Sequence, residues 1–481
     1  MYVGVDIGTQ SLKAVVCDAA LKVRGEASIS YEPSFPRPGW AEQDPALWEG
    51  ALAPAVAGAL GNARITPHDI QALGIAGQLD GCIPVGHDDA ALAPALIWMD
   101  RRAVAEISDV DRDLVLERAG VVLDATHMAA KIRWLQRHGP RDVALYHQPV
   151  SYLVARLTGA HRMDHGLAST TMLYDLTRRV YDEALLASFE ISGERLPEIA
   201  EASEVAGCLS RSGAAMAGLP AGLPVAVGTG DDFSNPLGAG LAAPGRVACA
   251  LGTAEVVGAL SPEAVIDRKA LVETHAYAGG LFFVENPGWL SGGALTWFVK
   301  AHRLADAAEL DALASQAAPG ADGLTFLPAL TGAMAPEWIA AARGSYYGLT
   351  PGHGTGHMAR AVLEGCAFAM RDVVERLSAL EVPVSSLLLL GGGAKSALWA
   401  QIRADATGLA AEIPSQQDTS PIGAAMLAAV AVGAGPDLAA AAELVGEIDR
   451  VVEPDPATKN AYDESYARYQ ELFECLRPLY R

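Results

Sequence analysis

Two aspartates stand beside glycines at the ends of predicted strands, where a carboxylate can act on a bound molecule. Asp6 opens the run D-I-G-T at 6–9, in which the glycine turn lets backbone N–H groups approach a phosphate and the carboxylate can bind Mg²⁺. Asp231 follows the predicted strand PVAVG in the run GTGDD at 228–232. A carboxylate placed in this way can accept the proton of an alcohol and aim its oxygen at a phosphoryl group. We therefore predict that Asp6 is a metal ligand and that Asp6 and Asp231 are catalytic.

Two Gly-Thr turns in different halves of the chain could clamp a triphosphate from both sides. The first contains Thr9, with Lys13 placed where a cation could approach the phosphates, and the second is L-G-T-A at 251–254. The pair is more specific than either turn alone, because D-x-G-T is also compatible with an ordinary hairpin. The predicted phosphate contacts are Thr9, Gln10, Lys13, Gly252 and Thr253.

A third glycine-rich run, GGGA at 391–394, lies between a hydrophobic strand and a predicted helix. Three glycines let a flat ring lie against bare backbone, and the helix N-terminus can face a phosphate. A tight strand–helix turn is the alternative for this run. For Asp231 and Asp232 the alternative is capping of the following helix, a role to which Asp232 is the better suited.

Strands that alternate with helices must position these residues, which predicts an α/β protein. The runs VDIGTQSLKAVV at 5–16 and CALGTAEVVGAL at 249–260 form a weak internal repeat. This repeat predicts two similar domains, 1–243 and 244–481, that face one another across a central cleft. The expected elements are a hairpin over 2–17, a helix over 45–60 that Pro54 interrupts, a strand over 70–76, a return strand over 256–260, and helices over 294–303, 356–380, 396–407, 421–433 and 457–477.

The composition excludes several classes of protein. With 481 residues, 51% hydrophobic and 19% charged, the chain can form two large cores, and disorder is disfavoured. A net charge of −22 opposes binding to nucleic acid or anionic lipid. The six cysteines include no C-x-x-C pair, which opposes a zinc site. No secretory signal and no apolar run long enough to span a bilayer is visible, so we expect a cytoplasmic protein without membrane or nucleic-acid partners.

Further motifs extend over essentially the whole chain: GWAEQDP at 39–45, GIAGQ at 74–78, W-x-D-x-R at 98–102, K-x-x-W-L at 131–135, GSYYGLTPGHGTGHMARAVLE at 344–364 and GGGAKS at 391–396. Together with D-x-G-T, GTGDD and LGT, they resemble the FGGY family of carbohydrate kinases and, within it, the xylulokinases. The resemblance implies two actin-like ATPase (ribonuclease H-like) domains, ATP and Mg²⁺ as cofactors, and transfer of the γ-phosphoryl group to a sugar hydroxyl.

The resemblance also implies residue roles. Asp6 would hold magnesium and orient the phosphates, Asp231 would be the base, and Thr253 would contact the terminal phosphates. The implied adenosine contacts are Gly392, Gly393, Ala394 and Ser396, with Trp399 close by. The implied sugar contacts are Gln78, Leu79, Asp80, Trp98, Asp100 and Asp231. Trp98 is equally compatible with a core position, and an Asp100–Arg102 pair with a purely structural role.

Two departures from the xylulokinase pattern leave the acceptor open. Leu79-Asp80-Gly81 stands where Met-His-Gly is usual, and a carboxylate can only accept hydrogen bonds, so Asp80 changes which sugar hydroxyls can be bound. The run GAMAP at 332–336 lacks the Glu-Arg of the family. D-xylulose is the first expectation. The alternatives are L-ribulose, a tetritol or another small polyol, and a non-catalytic sugar-responsive regulator.

Because the two Gly-Thr turns lie in different halves, we expect the domains to close on their ligands. A hinge is predicted near 241–246, where Gly240 and Gly245 can absorb a change of dihedral angle, and a second crossing near the C-terminal helix. The oligomeric state is open, with a homodimer as one option.

Overall fold

A seven-stranded mixed sheet organises the first half of the chain. The computed structural model describes residues 1–433 and 437–480. β1 pairs antiparallel with β2 and parallel with β4, and both β1 and β4 are buried along their whole length, as is typical of strands covered on both faces. The strands of this sheet are Tyr2–Ile7 (β1), Ser11–Cys17 (β2), Val23–Ser30 (β3), Ala72–Gly77 (β4), Val205–Cys208 (β5), Pro224–Ala226 (β6) and Thr229–Gly230 (β7).

A second seven-stranded sheet begins where the first half ends. Its strands are Gly245–Leu251 (β8), Ala254–Ser261 (β9), Glu273–Ala276 (β10), Phe282–Leu290 (β11), Val384–Leu390 (β12), Ala411–Pro414 (β13) and Ile448–Val452 (β14). Five further two-stranded ribbons pair Glu42–Gln43 with Ala95–Leu96, Ile83–Val85 with Leu145–His147, Arg162–Asp164 with Glu198–Ala200, Tyr174–Asp175 with Val180–Tyr181, and Thr325–Leu327 with Ser345–Tyr347.

The two sheets have the same central topology. In the first, β1–β2–β3 is an antiparallel meander, and β4 and then β6 add in parallel on the other side of β1. In the second, β8–β9–β11 is the antiparallel set, and β12 and then β13 add in parallel beside β8. The predicted internal repeat is thus a repeat of topology, and it brings the two Gly-Thr turns to the same corner of each sheet, between the first two strands.

Helices fill the connections between strands. They are Pro45–Ala63 (α1), Arg112–Ala119 (α2), Met128–His138 (α3), Pro149–Thr158 (α4), His165–Ser169 (α5), Glu183–Ser188 (α6), Arg211–Ala217 (α7), Asp231–Gly238 (α8), Gly292–His302 (α9), Ala307–Ala314 (α10), Thr355–Ala379 (α11), Ala397–Thr407 (α12), Ser420–Ala431 (α13), Leu438–Val445 (α14) and Lys459–Leu476 (α15).

Helix α1 continues through Pro54, which the sequence suggested would interrupt it. Its start is fixed by Asp44, whose carboxylate accepts the N–H of Ala46 at 2.9 Å, with Pro45 in the first turn. Trp48 and Val56 are buried against the sheet. The packing of this face against β2 and β3 outweighs the local cost of the proline.

Helices α8 and α13 form a layer between the two sheets. Both pack on the strands of the first sheet, and their apolar residues join a core that also contains Leu388 and Leu390 of the second sheet. The approach is so close that a Cβ on Gly4 would lie 1.8 Å from the carbonyl oxygen of Pro421, and one on Gly74 would lie 1.9 Å from that of Ala424. Only glycine fits at these two strand positions.

The second crossing between the halves is therefore made by α13, which corrects the expectation that it lies near the C-terminal helix. Helix α15 packs on α11 and α12 within the second half, where Tyr462, Tyr466 and Tyr469 are buried. The Ala-rich sequence of α13 explains the difference, because small side chains allow the close approach to β1 and β4 that α15 with its tyrosines could not make. Among the residues described by the structure, no helix is long and apolar enough to cross a membrane.

Candidate active site

Asp6 lies near the end of β1, at the point where the two sheets and the helix layer meet. Its carboxylate is buried, and Oδ1 has no hydrogen-bond partner within the described part of the chain. Burial and the charge of Asp231 raise its pKa to about 7, and the charge of Lys13 opposes this rise. A buried carboxylate oxygen that lacks a protein partner is suited to an external ligand.

Asp231 is the first residue of α8, and Gly230 occupies the N-cap position. The Asp231 Oδ1 accepts the N–H of Asp232 at 3.2 Å, and neither side chain caps the helix. Burial, followed by the charge of Asp232, raises the pKa of Asp231 to about 8, and burial with the charges of Asp80 and Asp6 raises that of Asp232 to about 6. Asp6, Asp231 and Asp232 thus form one electrostatically coupled group of carboxylates.

This group is compatible with one magnesium ion held mainly by Asp6. Magnesium usually retains several waters and takes only one or two protein carboxylates, so a single free carboxylate oxygen is a suitable ligand. Within the described ranges, no three His, Cys, Asp or Glu residues form a preassembled metal cluster. The Asp6 Oδ1 therefore fits a metal bound jointly with phosphate and water rather than one caged by protein.

The first Gly-Thr turn connects the end of β1 to residues Gln43 and Trp98. The turn closes with the N–H of Gly8 on the carbonyl of Ser11 at 3.0 Å. The Thr9 hydroxyl accepts the indole N–H of Trp98 at 3.0 Å, and the Thr9 carbonyl accepts the side-chain amide of Gln43 at 2.6 Å. Gln10 is exposed beside it.

Lys13 forms an ion pair with Asp418, a residue just before α13 that sequence analysis missed. The lysine is therefore held over the cleft by the opposite half of the chain. Its remaining exposure, 39% of the side chain, leaves the ammonium accessible to a further anion.

The second Gly-Thr turn presents exposed backbone at Gly252 and Thr253. The carbonyl of Thr253 accepts the N–H of Gly293 at 3.0 Å, which ties the turn to the start of α9. Directly after the turn, the buried Glu255 carboxylate accepts a hydrogen bond from the buried Arg403 guanidinium, with Nη2 and Oε2 2.7 Å apart. This internal ion pair, which sequence analysis also missed, anchors the turn to α12.

The third glycine run lies beside the second turn. Gly392 begins a single 3₁₀ turn ending at Lys395, and a Cβ on Gly392 would meet no atom within 4 Å, so its backbone faces open space. A Cβ on Gly393 would lie 2.8 Å from that of Leu251, which shows how closely the two loops approach. Ala394 is buried.

Ser396 caps α12, since its hydroxyl accepts the N–H of Trp399 at 3.0 Å. The Trp399 ring is buried and donates to the carbonyl of Leu363 at 3.1 Å, so it supports the loop from within the core. The predicted helix 396–407 accordingly begins one residue later, at Ala397.

Gln78 and Leu79 lie at the end of β4 on the other side of Asp231. The Gln78 amide donates to Gln43 at 2.7 Å, while its Oε1 is buried without a partner in the described ranges. A Cβ on Gly230 would lie 3.1 Å from Leu79 Cδ2, which places this leucine next to the start of α8.

Asp80 adopts a left-handed backbone conformation with φ +57°. Its N–H donates to Gln148 Oε1 at 2.8 Å, and its carbonyl accepts the buried Lys131 ammonium at 2.6 Å. The Asp80 Oδ1 lies 3.2 Å from His127 Nδ1. The backbone and the side chain of Asp80 are therefore both held by contacts to residues more than 40 positions away in the sequence.

Trp98 and Asp100, two residues apart, have opposite environments. Trp98 is 43% exposed, so its position is not in the core. Asp100 is fully buried and accepts the N–H of Ala41 at 2.7 Å and the Arg102 guanidinium at 2.7 Å. Arg102 in turn lies 3.7 Å from the ring centroid of Trp40. Asp100 is thus paired with Arg102 in the interior, as the structural alternative for this pair predicted. Trp98 instead lies at the cleft, where its indole N–H bonds to Thr9.

Comparison with known proteins gives consistent matches. Residues 1–238 match the N-terminal domain of the FGGY family of carbohydrate kinases, and residues 247–432 match the C-terminal domain of the same family. The xylulose kinase of Escherichia coli (strain K12) is 31% identical over 488 residues, covering 100% of both chains. The glycerol kinase of Thermococcus kodakarensis is 31% identical over 466 residues, covering 93% of this chain and 92% of its own. The crystal structure of xylulose kinase from Rhodospirillum rubrum superimposes with a TM-score of 0.92 at 30% identity, covering 100% of this chain and 99% of that one.

Proposed function

The chain belongs to the FGGY family of carbohydrate kinases, which are ATP-using phosphotransferases with an alcohol acceptor, and on that premise we propose that it phosphorylates D-xylulose to D-xylulose 5-phosphate. The observation that carries the proposal is the convergence of Asp6 and Asp231 at the end of β4: Asp6 pairs with Ala76, and Gly230, directly before Asp231, pairs with Gly77. Kinase activity toward a small sugar rests on the family, and the choice of D-xylulose rests on the similarity to xylulose kinases.

In the proposed reaction, Asp231 accepts the proton of the acceptor hydroxyl as the hydroxyl oxygen attacks the γ-phosphorus of ATP. The new O–P bond forms as the bond to the β,γ-bridging oxygen breaks, and ADP leaves. Lys13, Thr9, Gln10, Gly252 and Thr253 would contact the phosphates. When bound, Mg²⁺ would neutralise phosphate charge, and the free Oδ1 of Asp6 is the atom that would help to hold it.

The proposed nucleotide base site lies along the third glycine run. The open face of Gly392 and the closely packed Gly393 provide a flat surface. Ala394 and Ser396 would border it, although the Ser396 hydroxyl is engaged as a helix cap. We place the boundary between the two domains at residues 243 and 244, within the connection from α8 to β8.

Two observations favour other acceptors. Asp80 stands at the position of a histidine in the xylulokinase pattern, and glycerol kinases match the chain at the same identity as xylulose kinases. L-ribulose, a tetritol and glycerol are therefore the alternative acceptors. Gln78, Leu79, Asp80 and Trp98 are the proposed sugar-side residues. The Asp100 carboxylate is engaged by Ala41 and Arg102, so its proposed role is to hold the turn over residues 97–100 that carries Trp98.

The test is an acceptor-dependent ADP-release assay with D-xylulose, L-ribulose, erythritol and glycerol, with the phosphorylated product identified by ³¹P NMR. Asp231→Asn should lower turnover by at least about a hundredfold, since loss of a general base costs about 10²–10⁴-fold. Asp372→Asn, at a buried carboxylate bound by Tyr466 in the α11–α15 core, is the matched control and should retain activity. A wild-type protein that releases ADP with none of the acceptors, or an Asp231→Asn variant with normal turnover, would refute the proposal.

Closure of the two domains is also proposed, with the 241–246 connection as the hinge. Gly240 and Gly245 have φ values of +87° and +120°, which only glycine adopts readily. Small-angle scattering should show a smaller radius of gyration when D-xylulose and a non-hydrolysable ATP analogue are both bound. An unchanged radius, with both ligands shown to be bound, contradicts closure.

A further inference from the structure

A row of buried titratable side chains crosses from the first half of the chain to the second. In spatial order it runs from Asp80 to His127, Glu273, His275 and Glu285. His127 Nδ1 lies 3.2 Å from Asp80 Oδ1, and His127 Nε2 lies 3.7 Å from Glu273 Oε1. His275 Nε2 then lies 3.7 Å from Glu273 Oε2 and 3.5 Å from Glu285 Oε1. Each of the five residues is exposed over 8% or less of its surface.

The row is held next to the catalytic carboxylates by the second sheet. Glu273 lies opposite Glu285 in the antiparallel pair β10–β11. The His275 ring packs 5.6 Å from that of Phe233, two residues after Asp231 in α8. The charges of Asp232, Glu273, Asp80 and Asp231 all act on Glu285. Two strands of the second domain therefore extend the sugar-side surface that begins at Gln78 and Asp80.

Three polar atoms in this surface lack a partner within the described part of the chain, and one of them is His275 Nδ1. The other two are Glu285 Oε2 and Gln78 Oε1, both on residues that are 2% exposed. A buried polar atom without a hydrogen bond costs about 1–3 kcal/mol, and a hydroxyl group of a bound polyol can remove that cost. Gln78 follows Gly77, which pairs with Gly230 directly before Asp231, and the charge of Asp231 acts on Glu285. A chain of hydroxyl groups is therefore the ligand that could engage both Gln78 Oε1 and Glu285 Oε2.

The sign of the charge in this region limits the ligand further. Carboxyl groups from Asp80, Asp231, Asp232, Glu273 and Glu285 outnumber the two imidazoles, so the region disfavours a further negative charge. Burial and these neighbouring carboxylates raise the pKa of Glu285 well above its usual range. The carboxylate of an acidic sugar would meet the same unfavourable field.

We propose that Glu285, positioned by Glu273 and His275, completes the acceptor pocket from the second domain and makes it selective for neutral polyhydroxylated acceptors over sugar acids. The inference rests on the proposed kinase function. It adds that an acceptor hydroxyl bonds to Glu285, so the pocket is complete only when both domains are in place.

The test compares Glu285→Leu, which removes the polar group, with Glu285→Gln, which keeps it. Glu285→Leu should raise the KM of the neutral acceptor by about 10- to 100-fold and leave the KM of ATP unchanged, whereas Glu285→Gln should stay within a few-fold of wild type. Asp372→Asn again controls for loss of a buried carboxylate. A purely structural Glu285 predicts unchanged acceptor KM in the folded Leu variant, and this result overturns the inference.

A second measurement needs no variant. Neutral acceptors should raise the Tm of the wild-type protein, whereas D-gluconate, which has a similar hydroxyl chain and one carboxylate, should neither raise it nor be phosphorylated. Phosphorylation of gluconate as efficiently as of the best neutral acceptor overturns the inference but leaves the kinase function intact. Absence of phosphorylation with every acceptor refutes the kinase proposal instead.

Discussion

The pH dependence of activity is the most direct test of the assignment of Asp231. A base must be deprotonated to accept a proton, and in the free protein the pKa of Asp231 is raised from 3.8 to about 8. Roughly one tenth of the protein would then hold the active carboxylate at pH 7. We expect kcat/KM to fall about tenfold for each pH unit below this pKa.

The charge of Asp232 is the second cause of this shift after burial, so its removal should move the acid limb of the profile. In Asp232→Asn, the limb should move toward lower pH by about one unit, which is part of the rise from 3.8 to about 8. Because Asp6, Asp231 and Asp232 titrate together, the limb reports an apparent pKa of the group. The assay is kcat/KM for the best acceptor between pH 5 and 9 with Mg·ATP well below saturation, so that the profile reports the free protein.

Asp372 supplies the control for this experiment. Burial raises its pKa to about 7 as well, but it lies in the α11–α15 core and hydrogen-bonds to Tyr466 at 2.6 Å. Asp372→Asn should leave the acid limb where it is in the wild type. A limb that stays in place in Asp232→Asn, moves toward higher pH, or moves equally in Asp372→Asn would refute the assignment.

Three further predictions concern acceptor choice, stability and packing. Asp80→His should shift the ratio of kcat/KM values toward D-xylulose by about 1–3 kcal/mol, and an unchanged acceptor profile would show that the side chain does not reach the pocket. The pKa of Asp6 is raised on folding to about 7, so the ligand-free protein loses stability as pH rises from about 4 to 7. Asp6→Asn removes this loss and should increase Tm by about 2 °C or more at pH 8.5, and by less at pH 5.5. The same variant should abolish turnover. Equal Tm values at pH 8.5 would contradict that account. Gly74→Ala places a Cβ 1.9 Å from the Ala424 carbonyl oxygen and should lower the free energy of unfolding by about 1–3 kcal/mol or more, measured by thermal unfolding. The control Gly61→Ala, whose Cβ lies in open space on α1, should be neutral or stabilising. A Gly74→Ala variant as stable as the wild type would disprove the close contact.

Much of the fold follows from local patterns. Hydrophobic runs ended by glycine turns predicted β1, β2, β8, β9 and β12, and the repeated strand–Gly-Thr–strand pattern predicted two similar sheets. Helix limits agreed to within a few residues where a cap or glycine marked them, as at Ser396 for α12. Pro54 was misjudged because packing of α1 on the sheet, which is not local, outweighs the proline penalty.

The residues of the candidate site also fall into two groups, those that local sequence motifs identify and those that only the fold brings together. Residues carried on glycine-flanked motifs, such as Asp6, Thr253 and Asp231, could be selected from sequence because the motif itself sets the backbone geometry. Asp418 and Glu285 could not, since neither lies in a distinctive motif and each reaches the cleft from a distant element. His127 and His275 looked unremarkable among eleven scattered histidines until the fold placed them between carboxylates.

The amino-acid sequence by itself determined the family, the two-part architecture and the loops suited to phosphate, because these depend on short-range geometry that a few residue types encode. Only the tertiary structure decided which helix joins the halves and which carboxylates share one electrostatic environment. Ion pairs such as Lys13–Asp418 and Arg403–Glu255 join residues 405 and 148 positions apart. Such contacts depend on how the two sheets pack around α8 and α13, where burial and neighbouring charge together set the pKa of Asp6 and Asp231.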